Sequence, residues 1–352
     1  MPALSQSFGT GLPVELGRIE RELKKLWAEG GERMTRASLV NLAVYSERPG
    51  SLHANTQIVA QFTEDHACRA IVIAADPSAA EDEVQAWIAA HCHVSRAGTK
   101  QVCSEQISFL LTGSFARLLP NIVFSHLDSD LPFYLWWQEP LPHEIDPQLW
   151  SWVDHLIYDS QTWNDFDQQI AQIEKIQAEA NQRIVLCDLN WTRLVQLRLA
   201  IAQFFDHAAA HEKLAEIRRV EVQFASGYRS TAVLLTGWLA AQLGWMFAEA
   251  ADDAALVFAS CSGEPVSVAL SEADGEPVSR CSIFSDSAEF RVTHAPGADL
   301  LQACALCDGQ ERMRQVLPAA RNEPVALMSE ELMRGGPHRV YLRALNAVRE
   351  LL

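Results

Sequence analysis

Ala70-Ile71-Val72-Ile73-Ala74-Ala75, closed by Asp76-Pro77, is an apolar run without a polar residue at any position. A strand with one face in water alternates apolar and polar side chains. An unbroken run belongs to a strand buried on both faces, as in a parallel sheet covered by helices. The surrounding chain repeats that grammar. Residues 39–45 read as a strand, punctuated by Pro49-Gly50, and 51–63 as a helix. An amphipathic helix precedes them over 14–29, with Leu16, Ile19, Leu23 and Leu26 on one face and Gly30-Gly31 to stop it. Downstream come strand 101–111, helix 114–127, strand 131–137, a short helix at 149–155 and strand 156–158. Helix 163–180, strand 184–187, helix 191–206, strand 220–224 and an apolar helix over 229–249 follow. Glu81-Asp82-Glu83 is expected to open a further helix, where negative charge suits the helix dipole.

Beyond residue 250 the texture changes. Short alternating runs at 256–259, 266–270, 281–284 and 289–292 are separated by turn residues, and Asp274-Gly275 is a hairpin signal. These predict an antiparallel sheet, closed by helices near 298–307 and 340–352. The expected fold class is α/β: an N-terminal, mostly parallel, helix-covered sheet domain over 1–251, plus a smaller C-terminal α+β domain with an antiparallel sheet over 252–352.

The formal charge of -17 tells against a general nucleic-acid binder and against docking on an anionic membrane face, since both need clustered Lys and Arg. Residues 230–248 carry no charge, which invites a membrane test. Ser230, Thr231, Thr236 and Gln242 within them favour a buried core helix. Residues 1–13 show neither a basic nor an apolar leader segment, so a cytoplasmic location is expected. The eight cysteines are scattered, and reduced thiols are the default expectation.

Short catalytic signatures are missing: no phosphate-cradling glycine loop, no Gly-x-Ser-x-Gly elbow, no His-Glu-x-x-His. His91-Cys92-His93 with Cys103 could be read as zinc ligands. Adjacent strand residues point to opposite faces, however, which favours a hairpin with one buried thiol. Cys304 and Cys307 would share a face if 298–307 is a helix; two buried small hydrophobes, a regulatory redox pair and half a metal site all stay open. Nothing in the sequence calls for a cofactor or a metal.

Two segments stand out chemically. Ser129-Asp130-Leu131-Pro132-Phe133-Tyr134-Leu135-Trp136-Trp137-Gln138-Glu139-Pro140-Leu141-Pro142 ends a strand in tandem indoles, one for each face. Asp188-Leu189-Asn190-Trp191-Thr192-Arg193-Leu194 joins a strand to a helix, with Asp188, Asn190 or Thr192 placed to cap the helix start. Arg193 and Arg198 are offered from the turns that follow.

This pair of segments resembles the signature of the OpcA family of glucose-6-phosphate dehydrogenase assembly proteins. Cys103-Ser104-Glu105-Gln106-Ile107, Leu235-Thr236-Gly237-Trp238-Leu239-Ala240 and Leu243-Gly244-Trp245 add to the resemblance. It implies a non-enzymatic role as an assembly and activation partner of glucose-6-phosphate dehydrogenase, in the oxidative pentose phosphate pathway, without catalytic residues of its own. Trp136, Trp137, Asp188, Asn190, Trp191 and Arg193 are the candidate partner-interface residues; the competing reading makes the tryptophans core anchors. The alternative function is a sugar-phosphate- or nucleotide-binding enzyme or sensor at the carboxyl ends of the parallel strands, with Arg193 and Arg229 as candidate cations.

Overall fold

Two sheets carry the chain in the computed structural model, which describes residues 11–30, 34–94, 101–144, 146–181, 183–206, 208–252, 255–336, 338–349 and 351. The first sheet runs in the order Leu12–Pro13, Val84–Val94, Gln101–Thr112, Cys68–Asp76, Val40–Ser46, Phe133–Trp137, His155–Tyr158, Val185–Asp188, with Met34–Arg36 paired to Gln101–Thr112. From Gln101–Thr112 through to His155–Tyr158 every pairing is parallel. The run 70–75 lies at its centre, all six residues fully buried. Val84–Val94 adds an antiparallel edge.

Helix Ser51–Phe62 returns the chain from Val40–Ser46 to Cys68–Asp76. It presents Leu52, Val59 and Phe62 to the sheet at helical spacing. At the start of the strands Arg69 is buried between carboxylates. It pairs with Glu105 at 2.8 Å and Glu20 at 2.5 Å, while Arg36 joins Glu105 to Asp128. A buried cation of this kind is tolerable only because partners surround it.

The second sheet has eight strands in the order Met246–Asp252, Ala255–Ala259, Pro265–Glu272, Ile217–Phe224, Val278–Ser285, Ala288–His294, Leu300–Cys307, Gln310–Pro318. It is antiparallel apart from the pairing of Ile217–Phe224 with Pro265–Glu272. Burial alternates along residues 265–271, the mark of a sheet with one face covered and one in water. Helix Arg229–Leu243 is packed, and Gly237 sits where helix Arg339–Arg349 comes closest. A β-carbon there would lie 2.6 Å from Val348 Cγ2 and 2.8 Å from the Ala344 carbonyl oxygen. No helix among the described residues is long and apolar enough to cross a membrane.

Several expectations are corrected. The chain divides into one unit of 1–158 with 172–186 and another of 159–171 with 187–352, not at residue 252. Ile217–Phe224 is an interior strand of the second sheet, so that fold begins well before residue 252. Asp274-Gly275 does not make a hairpin: the strands on either side of it both pair with Ile217–Phe224, which lies between them. Residues 300–307 form a strand instead of a helix, with Leu301, Ala303 and Ala305 buried at period two. Glu81-Asp82-Glu83 leads into strand Val84–Val94, and Asp82 accepts from the Ser114 amide and hydroxyl, both at 2.7 Å. Cys92 and Cys103 face each other across the hairpin and are joined as a disulfide, so the thiols are not all reduced.

Candidate functional site

The Trp-Trp strand belongs to the core. Trp136 and Trp137 are each 5% exposed. Trp137 stacks on Tyr45 at 4.2 Å, donates its indole N–H to the Pro140 carbonyl at 3.1 Å and meets Trp150. Of the ten tryptophans, Trp152 alone is exposed (61%), with its ring 5.3 Å from that of Phe124. An exposed indole of that size is the kind of residue that carries contact energy when a partner covers it.

Asp188-Leu189-Asn190-Trp191-Thr192-Arg193 folds as a short helix capped by Asp188, whose carboxylate accepts from the Asn190 amide at 3.0 Å. The same carboxylate accepts from the amide and hydroxyl of Ser160. Asn190 donates to Ser160 Oγ at 3.0 Å and accepts from Thr231 at 2.6 Å. Arg193 forms a bidentate pair with Asp159, at 2.9 and 2.5 Å, and also donates to Asn322. Thr192 donates to Glu331, which holds His338 through its other oxygen at 2.9 Å. Burial, with the Asp159 charge adding to it, pushes the Asp188 carboxyl up to about 7. The segment thus ties the turn at 159–162, helix Arg229–Leu243 and the chain near 322–338 into one lock. Asp188, Asn190 and Trp191 are buried and Arg193 nearly so, which leaves them little surface to offer a protein partner.

Cys187, Glu331 and His338 lie within 4.8 Å of one another and could in principle ligate a metal. The surroundings speak for a hydrogen-bonded lock instead. Both Glu331 oxygens already accept hydrogen bonds, and Arg334 stands 3.9 Å away. Burial and the adjacent Glu331 push the Cys187 thiol well above its ordinary range, away from the thiolate a metal needs.

Beside this lock opens a cavity of about 930 Å³. Trp191, Phe205, Trp238 and Tyr341 supply aromatic wall, and the exposed Leu199 sits at the mouth. Arg198 sits over the Trp191 ring, its guanidinium carbon 3.2 Å from the ring centroid. Nη2 donates to the Trp191 carbonyl at 3.3 Å, Nε is buried without a partner, and no carboxylate of the described residues lies within ion-pair distance. Burial and then the like charge of Arg334 pull Arg198 down to about 9, against an opposing pull from the Glu331 charge. The signal available in the sequence was the seven-residue spacing of Trp191 and Arg198, which places both on one helical face. Arg334, His338 and Tyr341, some 140 residues on, gave no such signal.

At the carboxyl ends of the parallel strands, side chains of the chain itself meet one another. At the point where the strand order reverses, between Val40–Ser46 and Phe133–Trp137, the Glu139 carboxylate accepts from the Ser46 hydroxyl at 2.9 Å and the Glu47 amide at 3.0 Å. Asn55 and Gln138 exchange hydrogen bonds of 2.9 Å alongside. One backbone amide at this switch point, that of Glu47, is thus engaged by a carboxylate of the chain itself. Arg193 is spent on Asp159, and the exposed Arg229 opens a helix over the other sheet. Cys304 and Cys307, expected to share a helical face, stand three apart on a strand and point to opposite sides; neither is in a disulfide. Cys304 lies against Glu311.

Two family descriptions match the chain. The N-terminal domain of a glucose-6-phosphate dehydrogenase subunit is matched by residues 59–178, and the C-terminal domain of the same family by residues 184–345. Among curated proteins, the OxPP cycle protein OpcA of Synechocystis sp. is 27% identical over 182 residues, 51% of this chain and 37% of that protein. Its namesake from Nostoc punctiforme is 30% identical over 182 residues, 51% of this chain and 38% of that one. The match therefore spans well under half the length of these relatives. Among solved structures, an aldose-aldose oxidoreductase from Caulobacter crescentus overlaps with a TM-score of 0.49 at 11% identity, over 89% of this chain and 95% of that one. At that distance nothing about chemistry follows.

Proposed function

The chain belongs to the OpcA family of glucose-6-phosphate dehydrogenase subunits, and on that premise we propose that it is a non-catalytic partner which favours the assembled, active dehydrogenase. The observation that carries this reading is the pair of family matches over 59–178 and 184–345. The site geometry supports it: the most unusual motif, Asp188 to Arg193, is spent on internal hydrogen bonds, and at the switch point of the sheet Glu139 accepts from the Ser46 hydroxyl and the Glu47 amide. A partner that binds only the competent oligomer shifts the equilibrium by its differential affinity, with no bond made or broken.

The contact belongs to groups that are exposed, so the interface candidates move from Trp136, Trp137 and Trp191 to Trp152 with Phe124 beneath it. The test is the activity and oligomer mass of the purified cognate dehydrogenase with and without this protein. The reading predicts higher activity together with a larger assembled fraction; unchanged activity and mass would reject it.

A further inference from the structure

The cavity beside the Asp188 lock plays no part in that reading, and its chemistry is specific. Its volume of about 930 Å³ falls within the range of small-molecule sites, roughly 300–1,000 Å³. The walls are mainly aliphatic and aromatic, whereas the charged groups at its edge are mostly cations. Arg198, Arg334 and Arg339 stand there against Glu330, in a chain whose net charge is -17. Arg334 is neutralised by Glu330 at 3.0 Å, while Glu331 is held by Thr192 and His338. Arg198 feels the Glu331 charge, but no carboxylate of the described residues lies within ion-pair distance of it, and its Nε has no hydrogen-bond partner. An unpaired guanidinium held on apolar surface is a costly arrangement for a fold to keep unless an anion completes it.

We infer that the cavity lined by Trp191, Trp238 and Tyr341 binds an amphipathic organic anion, its carboxylate or phosphate head on Arg198 and its apolar body against the aromatic wall. A divalent cation is excluded by the three arginines. A free sugar phosphate would satisfy the guanidinium but leave its hydroxyls facing apolar wall. The apolar body is therefore as much a part of the specificity as the head. A guanidinium stacked on an indole is also pre-organised, so little side-chain freedom is lost when the head arrives.

The test uses the full chain and three probes of equal length: octanoate, octyl phosphate and octanol, each followed by titration calorimetry. The site predicts that one or both anions bind at least tenfold more tightly than octanol, and the better anion identifies the head. Arg198→Gln is expected to abolish that preference while leaving octanol unchanged. Ala202→Trp, placed on the exposed part of the wall, is expected to weaken all three. Should Arg198→Gln not fold, the comparison of probes on the parent protein together with Ala202→Trp decides the question. Equal affinity for anion and alcohol, no binding of any probe, or indifference to Ala202→Trp would overturn the inference. None of these outcomes depends on the dehydrogenase, so the two readings stand or fall separately.

Discussion

The Asp188 carboxylate accepts both the amide and the hydroxyl of Ser160, at 3.0 and 2.7 Å. Fully buried, it is held up to about 7 from an ordinary 3.8. Its folded-state value lies above the unfolded one, so its contribution is complete below about pH 4 and is lost as the pH rises through about 7. Over that window stability falls, by on the order of a few kcal/mol. Thermal melts from pH 4.5 to 7.5 should show this decline, and Asp188→Asn should flatten it. Parallel slopes for parent and variant would refute the assignment.

Trp137 and Trp191 are core residues by position, so Trp137→Ala and Trp191→Ala should each cost about 3–5 kcal/mol in chemical denaturation. Their effect on partner binding would follow from unfolding.

Trp152→Ala should behave in the opposite way. Its indole is mostly in solvent, so stability should change by no more than about 0.5 kcal/mol. Affinity for the dehydrogenase should fall about tenfold or more, measured by titration of the labelled protein. An unchanged affinity would remove Trp152 from the interface.

Gly237→Ala gains helix propensity, worth about 1 kcal/mol, and meets Val348 and the Ala344 carbonyl at clashing distance. The backbone oxygen cannot move aside without shifting helix Arg339–Arg349, so overpacking should win with a net loss of about 1–3 kcal/mol. Val348→Ala in the same chain should recover part of it, read as a coupling in a double-mutant cycle.

The cysteines give a count. Thiol titration of the denatured, unreduced chain should find six thiols, and eight after reduction, with only Cys92 and Cys103 paired. A Cys304→Ser, Cys307→Ser double variant should respond to oxidant as the parent does, because the strand separates the two side chains.

What the sequence could reveal follows from which forces act locally. The run 70–75 and the flanking strands at 40–46 and 133–137 were legible because burial on both faces leaves an unbroken apolar signature. Residues 300–307 were not: Leu, Gln and Ala are good helix formers, and the period-two burial of Leu301, Ala303 and Ala305 is imposed by neighbouring strands. The domain boundary was missed for a similar reason, since Ile217–Phe224 looks like one more strand of the first pattern until its partners are known. Asp188 to Arg193 stands out in the sequence, but the partners that spend it, Ser160, Asp159, Thr231, Asn322 and Glu331, lie up to 139 residues away. Sequence oddity marked a lock, and only the contacts told it apart from an interface.

The central claim is a physical association, and the most direct measurement is the light-scattering mass of this protein mixed with its cognate glucose-6-phosphate dehydrogenase, across a size-exclusion column. The account predicts one peak whose mass is that of a defined complex, with dehydrogenase activity in it above that of the enzyme alone. Two separate peaks at the masses of the unmixed proteins, with activity unchanged, would contradict it.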